Sequence, residues 1–107
     1  PAAIRKLLAR PPSARQNPAA VYDAASSRLI VFGGYDGIPL NDAWVLINAN
    51  GLGGPPSWSQ LSPSGAAPPG RSAHTALYNP ATNRMIIFGG GDPFFNDVWV
   101  LTHANGR

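Results

Sequence analysis

The stretch Arg84–Leu101, RMIIFGGGDPFFNDVWVL, passes from a short apolar run through a glycine pair and a polar turn into Trp-Val-Leu. The same order stands earlier, at Arg28–Leu46, as RLIVFGGYDGIPLNDAWVL. The glycine pairs lie 56 residues apart, counted from Phe32 to Phe88, and the tryptophans 55 apart, from Trp44 to Trp99. The one-residue difference falls where GGYDGIPLND becomes GGGDPFFND, and loops between strands are where length changes are tolerated. Pro12 matches Pro68, Arg15 matches Arg71, Tyr22 matches Tyr78 and Arg28 matches Arg84; Ala-Asn-Gly recurs at Ala49–Gly51 and Ala104–Gly106. The chain is an internal repeat, and a period of this length belongs to repeat architectures.

Within each repeat the residues read as strands. AAVYD (Ala19–Asp23) and HTALYN (His74–Asn79) are short, with β-formers near their ends. RLIVFGG and RMIIFGG are β-branched and aromatic runs stopped by glycine, and their unbroken apolar character predicts a strand covered on both faces. DAWVLI and DVWVLT follow, and WSQL (Trp58–Leu61) is a brief fourth strand between GLGGPPS and SPSGAAPPG. Four short antiparallel strands make a propeller blade, a unit that cannot bury both of its faces alone. In this reading the glycine pair ends a buried strand where φ is positive, Asn-Asp supplies turn-bonding side chains, and the tryptophan plugs the space between blades.

Composition agrees with an all-β chain. Among 107 residues there are 12 Gly and 12 Pro, a load that suits short strands and tight turns and opposes long helices. The net charge is +3, but the seven arginines and one lysine are scattered, only Arg5, Lys6 and Arg10 standing close together. Nucleic-acid binding needs a patch that releases several counterions together, so no nucleic-acid partner is expected. No apolar run reaches the length of a membrane span, and AAIRKLLAR lacks the apolar centre of a secretory signal. Cysteine is absent, which removes disulfides, thiolate metal sites and cysteine nucleophiles.

A strand ending in a glycine pair, then Asn-Asp-aliphatic-Trp, with GRSAH leading in and a Trp-x-x-Leu strand behind, resembles the kelch repeat. FGG, NDAWVL and WSQL carry the resemblance in the first repeat, and GRSAH, FGG and NDVWVL in the second. It implies kelch-type β-propeller blades of four antiparallel strands, two per chain, in rings of six or seven blades that a terminal strand helps to close. Residues 12–67 form the first repeat and 68–107 the second, which stops before any Trp-x-x-Leu strand. The first repeat departs from the pattern in having SARQNP where the second has GRSAHT, so that Pro18 stands in place of His74. Residues 1–11 hold a candidate for the missing strand: IRKL at Ile4–Leu7 has the spacing of WSQL and precedes PPSAR much as WSQL precedes PPGRS. A short basic helix and a loose terminus are the rival readings of this segment.

Loops after the second and fourth strands of a blade emerge on one face. That face gathers Arg15, Tyr35, Asp36, Arg71, Asp92, Phe94 and Phe95, a mixture of aromatics, arginines and carboxylates of the kind found at interaction surfaces. The opposite face carries the small polar turns DAASSR, NPATNR and NANGLGGPP. Each candidate also has a structural reading: Arg15 and Arg71 as braces between loops, Phe94 and Phe95 as packing, Asp42 and Asp97 as turn caps, His74 as a donor to backbone, and His103 as a solvated loop residue. No catalytic or metal-binding residue is expected. There is no Gly-x-Ser-x-Gly, no phosphate loop, no His-x-x-x-His pair and no glutamate. Some kelch-like propellers are copper oxidases with a cysteine-linked tyrosine, chemistry this cysteine-free chain cannot perform; no cofactor is implied.

Three functional readings follow: a non-catalytic binding or scaffold module that recognises protein or glycan through the loop face, a fragment of a larger propeller hydrolase or lyase, and a purely structural self-assembling repeat. The first is preferred. Two blades leave two apolar flanks, with Trp44, Trp99, Phe32 and Phe88 named on them, so copies are expected to join front to back. Three chains making six blades is the favoured ring, and four making eight is next.

Overall fold

The computed structural model describes residues 1–6, 10–91 and 94–107. Its regular structure is all β: seven strands in chain order, β1 (Ala19–Asp23), β2 (Arg28–Tyr35), β3 (Pro39–Ile47), β4 (Ser57–Gln60), β5 (Thr75–Asn79), β6 (Arg84–Phe88) and β7 (Val98–Thr102). They form two antiparallel meanders, a four-stranded sheet β1-β2-β3-β4 and a three-stranded sheet β5-β6-β7. Each sheet falls within one repeat, and among the described residues the second has three strands and no outer one. Pro1–Lys6 makes no strand pairing in the single chain and Ile4 is fully exposed; Leu7, the last residue of the candidate outer strand, lies outside the described residues.

The glycine pairs behave differently in the two blades. In the second, the strand ends at Phe88, as the sequence reading expects. In the first, β2 runs on through Gly33 and Gly34 to Tyr35: the register shifts between Phe32 and Gly34, and pairing resumes at Gly34↔Leu40 and Tyr35↔Pro39. A bulge at the glycines lets the longer loop close as a hairpin extension. Positive φ at this point is required. Gly33 sits at φ 70°, and a Cβ there would lie 2.8 Å from His74 Cε1 and 2.9 Å from the Arg71 carbonyl oxygen.

The segment leading into the second blade causes that crowding, because it is laced to the first blade before β5 begins. The Arg71 N–H donates to the Leu40 carbonyl, the Gly34 N–H to the Arg71 carbonyl, and the Ala73 N–H to the Asn17 carbonyl, each at 2.9 Å. His74 Nε2 adds a 2.8 Å bond to the Phe32 carbonyl. Backbone pairing across blades fixes how far one is turned on the next.

Between the sheets lies the core. Ala19, Ile30, Phe32, Ala43 and Val45 on the first blade face Met85, Ile87 and Ala104 of the second, with Tyr78, Trp99 and Leu101 packed at the margin. Trp99 plugs the joint as expected. Trp44 does not: it is half-buried on the other side of the first sheet, edge to face with Trp58 at 6.5 Å. The expectation that the glycine-stopped runs are covered on both faces holds for β2 and fails for β6. In β6 Met85 and Ile87 are buried while Arg84, Ile86 and Phe88 are exposed, because none of the described residues covers the far side of the second blade. Phe32 and Trp99 belong to the joint, so among the four aromatics expected on open flanks only Trp44 and Phe88 are there.

Candidate functional site

Two clamps of the same composition support the loop face. Arg15 donates through Nη1 and Nη2 to the two carboxylate oxygens of Asp42, at 2.6 and 3.0 Å, and through Nη1 to the Gly33 carbonyl at 3.2 Å. Arg71 does the same to Asp97, at 2.6 and 2.9 Å, and to the Gly89 carbonyl at 3.0 Å. In both blades the tryptophan indole completes the set, Trp44 Nε1 donating to Asp42 at 2.8 Å and Trp99 Nε1 to Asp97 at 2.7 Å. The Asn-Asp-x-Trp spacing thus places one carboxylate between an arginine fork and an indole. A planar guanidinium can pair with both carboxylate oxygens through two parallel N–H bonds and still reach a carbonyl, a fixed fork that the single nitrogen of lysine does not have.

These contacts set the electrostatics. Hydrogen bonds from Arg71, then Trp99, hold the Asp97 carboxyl far below the usual carboxylate range. Burial opposes ionisation of Asp42, but the bonds from Arg15 and Trp44 outweigh it and its pKa also falls. Asp42 and Asp97 are the centres of the clamps, a larger role than the turn caps of the sequence reading. His74 is buried, and that burial, aided by the nearby Arg71 charge, lowers its pKa. Its Nδ1 has no partner among the described residues. His103 is exposed, with Nδ1 3.0 Å from the Arg107 carbonyl oxygen.

The loop-face candidates separate into two groups. The Arg15 and Arg71 side chains are buried, 6% and 0% exposed, and their charges are spent inside the clamps. Phe95 is half-buried, with the Arg71 guanidinium 4.1 Å above its ring. Tyr35, Asp36 and Phe94 point outward. Phe94 is 96% exposed; Tyr35 is bridged to Gln16, and Asp36 accepts a 2.8 Å bond from Ser13, whose carbonyl in turn takes Arg15 Nε. Asp92 lies outside the described residues. Ile38, 64% exposed at the tip of the first loop, belongs with the outward group and was not singled out by the sequence reading; an apolar residue next to Gly37 in a polar loop was the available signal.

Two concavities lie away from this face. One, of about 320 Å³, runs along the free edge of β7 between Leu61–Ser64 and Val100–His103, beside the position a fourth strand would take. The other, of about 120 Å³ and mostly apolar, sits between the blades near Ala43, Ile87 and Trp99, under the linker Pro63–Pro68. Among the described residues no three potential metal ligands converge.

The repeated clamps, the glycine pairs and the blade topology agree with what comparison finds. Residues 4–106 match the family described as the KLHDC2/KLHL20/DRC7 Kelch-repeats domain. The chain belongs to the kelch-repeat family. This kelch chain is 38% identical over 97 residues, 87% of its length, to Host cell factor 1 of Homo sapiens, and equally so to Host cell factor 1 of Mus musculus. It is 38% identical over 86 residues, 77% of its length, to Host cell factor 2 of Homo sapiens. The kelch chain spans 4% of the length of the first relatives and 10% of the last.

Proposed function

We propose that the chain is a non-catalytic protein-binding module, a pair of kelch blades that receives its partner on the loop face around Tyr35, Ile38 and Phe94. The observation that carries this reading is how that face uses its residues. The arginines are consumed by internal clamps, while two aromatics and an aliphatic, Tyr35, Phe94 and Ile38, are exposed at the loops of the two blades. Rigidly held aromatic anchors with a polar rim are what protein interfaces use. Selection of short phage-displayed peptides on the immobilised chain tests it. The parent should enrich a set of peptides that the Tyr35→Ala/Ile38→Ala/Phe94→Ala variant, with an unchanged circular dichroism spectrum, fails to retain. Equal enrichment by both proteins would move the site elsewhere.

Assembly is the second part of the reading, favoured by the flanks. Leu77, Ile86, Phe88, Val98 and Val100 form an exposed apolar face on the second blade. Their repeat equivalents on the first blade, Val21, Ile30, Phe32, Ala43 and Val45, are packed in the joint. The second blade therefore offers the surface that the first blade already uses. Copies stack front to back into a ring of three chains and six blades, with four chains and eight blades as the alternative count. Ile4–Leu7 of one copy pairs with the free edge of β7 in the next, as β4 pairs with β3. Removing Pro1–Leu8 should lower the melting temperature of the assembly; an unchanged assembly at an unchanged melting temperature removes the donated strand.

A further inference from the structure

At the end of the joint opposite the glycine pairs, the blades are fastened by a buried polar corner centred on Asn105. Its side-chain amide donates to Asp23 Oδ2 of the first blade at 2.9 Å, and its backbone carbonyl accepts Arg28 Nη1 at 2.7 Å. Its orientation is fixed from its own blade: Asn105 Oδ1 accepts Asn83 Nδ2 at 2.7 Å and the Arg107 N–H at 2.9 Å. Asn83 Oδ1 in turn accepts the Asn105 N–H and the Tyr78 hydroxyl. Asp23 and Asn105 are both buried. The bond from Asn105, followed by that from Ser26, lowers the Asp23 pKa, so a carboxylate meets the amide.

Both halves of this corner recur, exposed, on the outward sides of the two blades. Asn50, the repeat equivalent of Asn105, is exposed with its turn already formed: Oδ1 accepts the Leu52 N–H at 2.9 Å, and Nδ2 donates one of its two N–H bonds to Ser27 Oγ at 3.0 Å, leaving the other for a partner. Ala49 N–H to Ser27 carbonyl and Ala104 N–H to Asn83 carbonyl are the same backbone bond in the two blades. On the second blade Asn79 and Arg84, equivalents of Asp23 and Arg28, are exposed. Asn79 Oδ1 accepts the Ala81 N–H as Asp23 Oδ1 accepts that of Ala25. One atom differs in kind. Where Asp23 presents an acceptor, Asn79 presents an amide NH2, and a docking Asn50 would bring a second NH2 against it.

We infer that Asn79 and Arg84 form the receiving half of a latch for Asn50 of a second copy of this chain, and that Asn79 in place of aspartate makes the joint between copies weaker than the joint within one. The inference rests on the front-to-back stacking proposed above. Arg84 bonds the Asn50 carbonyl as Arg28 bonds Asn105, while the amide pair is mismatched. Pro18, lacking the imidazole of His74, removes a second bond, the one to the carbonyl of Phe88.

Sedimentation equilibrium of the whole chain, with exposed-site variants, tests this. Asn79→Asp should tighten self-association about tenfold or more, the size expected of a hydrogen bond to a charged group. Asn50→Ala keeps the backbone carbonyl that Arg84 bonds and removes only the mismatched amide, so on its own it should not weaken association; in its background Asn79→Asp should gain nothing, since the two side chains act as a pair. No gain from Asn79→Asp, or an equal gain with and without Asn50, overturns the latch. Phe88→Glu, in the apolar centre of the same flank, reports on stacking alone. If Phe88→Glu changes nothing, or if wild type and Asn79→Asp are monomers at every concentration, stacking fails and the latch with it. If Phe88→Glu abolishes association while the Asn50/Asn79 cycle is null, only the latch fails.

Discussion

Arg71 donates through Nη1 and Nη2 to both carboxylate oxygens of Asp97, at 2.6 and 2.9 Å, from a position with no solvent exposure. Its repeat equivalent makes the same pair of bonds to Asp42. A side chain that recurs at the period of the fold and directs its guanidinium to Pro69, Gly89 and Asp97 of its own blade serves that blade. The proposed ligand face is made of other residues, Tyr35, Ile38 and Phe94, which stand exposed.

Replacing Arg71 should therefore disturb stability before it disturbs recognition. Arg71→Lys keeps the charge but loses the two-nitrogen fork on Asp97 and the planar stacking on Phe95. Both Arg71→Ala and Arg71→Lys should lower the thermal midpoint by several degrees, with lysine recovering only part of the loss. Full recovery by lysine would show that charge alone matters there.

Gly33 and Gly37 both have positive φ, 70° and 121°, but only Gly33 is crowded. Gly33→Ala must strain the backbone and push against Arg71 and His74, which lie under 3.0 Å from the new methyl group. Gly37→Ala meets open space. In urea unfolding Gly33→Ala should lose about 1–3 kcal/mol and Gly37→Ala distinctly less. Equal losses would mean that the lead-in segment is not pressed against the glycine pair.

Acid should destabilise the chain in two stages. The folded pKa of His74 is below its ordinary 6.5, so between these values the unfolded chain takes up a proton that the folded chain refuses. Stability falls as pH drops through that window. The folded pKa values of Asp23, Asp42 and Asp97 are below the ordinary 3.8, so their contribution is present above about pH 4 and is lost as pH falls through the folded values. Urea midpoints against pH should show both falls. His74→Gln should remove the upper one and leave the lower; a wild-type midpoint that is flat from neutral pH to the carboxylate range contradicts this.

Most of the fold was legible because its signals are local and occur twice. RLIVFGG and RMIIFGG announce strands, NDAWVL and NDVWVL their partners, and the period announces two blades. The bulge that carries β2 on to Tyr35 was hidden, since Gly33-Gly34 and Gly89-Gly90 are identical in sequence and differ only in the loop that follows. The site was half legible. Tyr35, Asp36 and Phe94 are outward, as their place in the loops after the second strands suggested, but an arginine in a loop reads alike whether free or buried, and only the fold brings Asp97 to Arg71. Asn105 was visible as part of a recurring Ala-Asn-Gly; its partner Asp23 stands 82 residues away, a separation that no local pattern spans.

The mass of the chain in dilute and concentrated solution tests most directly the claim that these two blades present the flanks of an unfinished ring. Sedimentation equilibrium should show concentration-dependent association of the 11.2 kDa chain toward three copies, removed by Phe88→Glu. A folded 11.2 kDa monomer across the whole range, unaffected by that substitution, would contradict it.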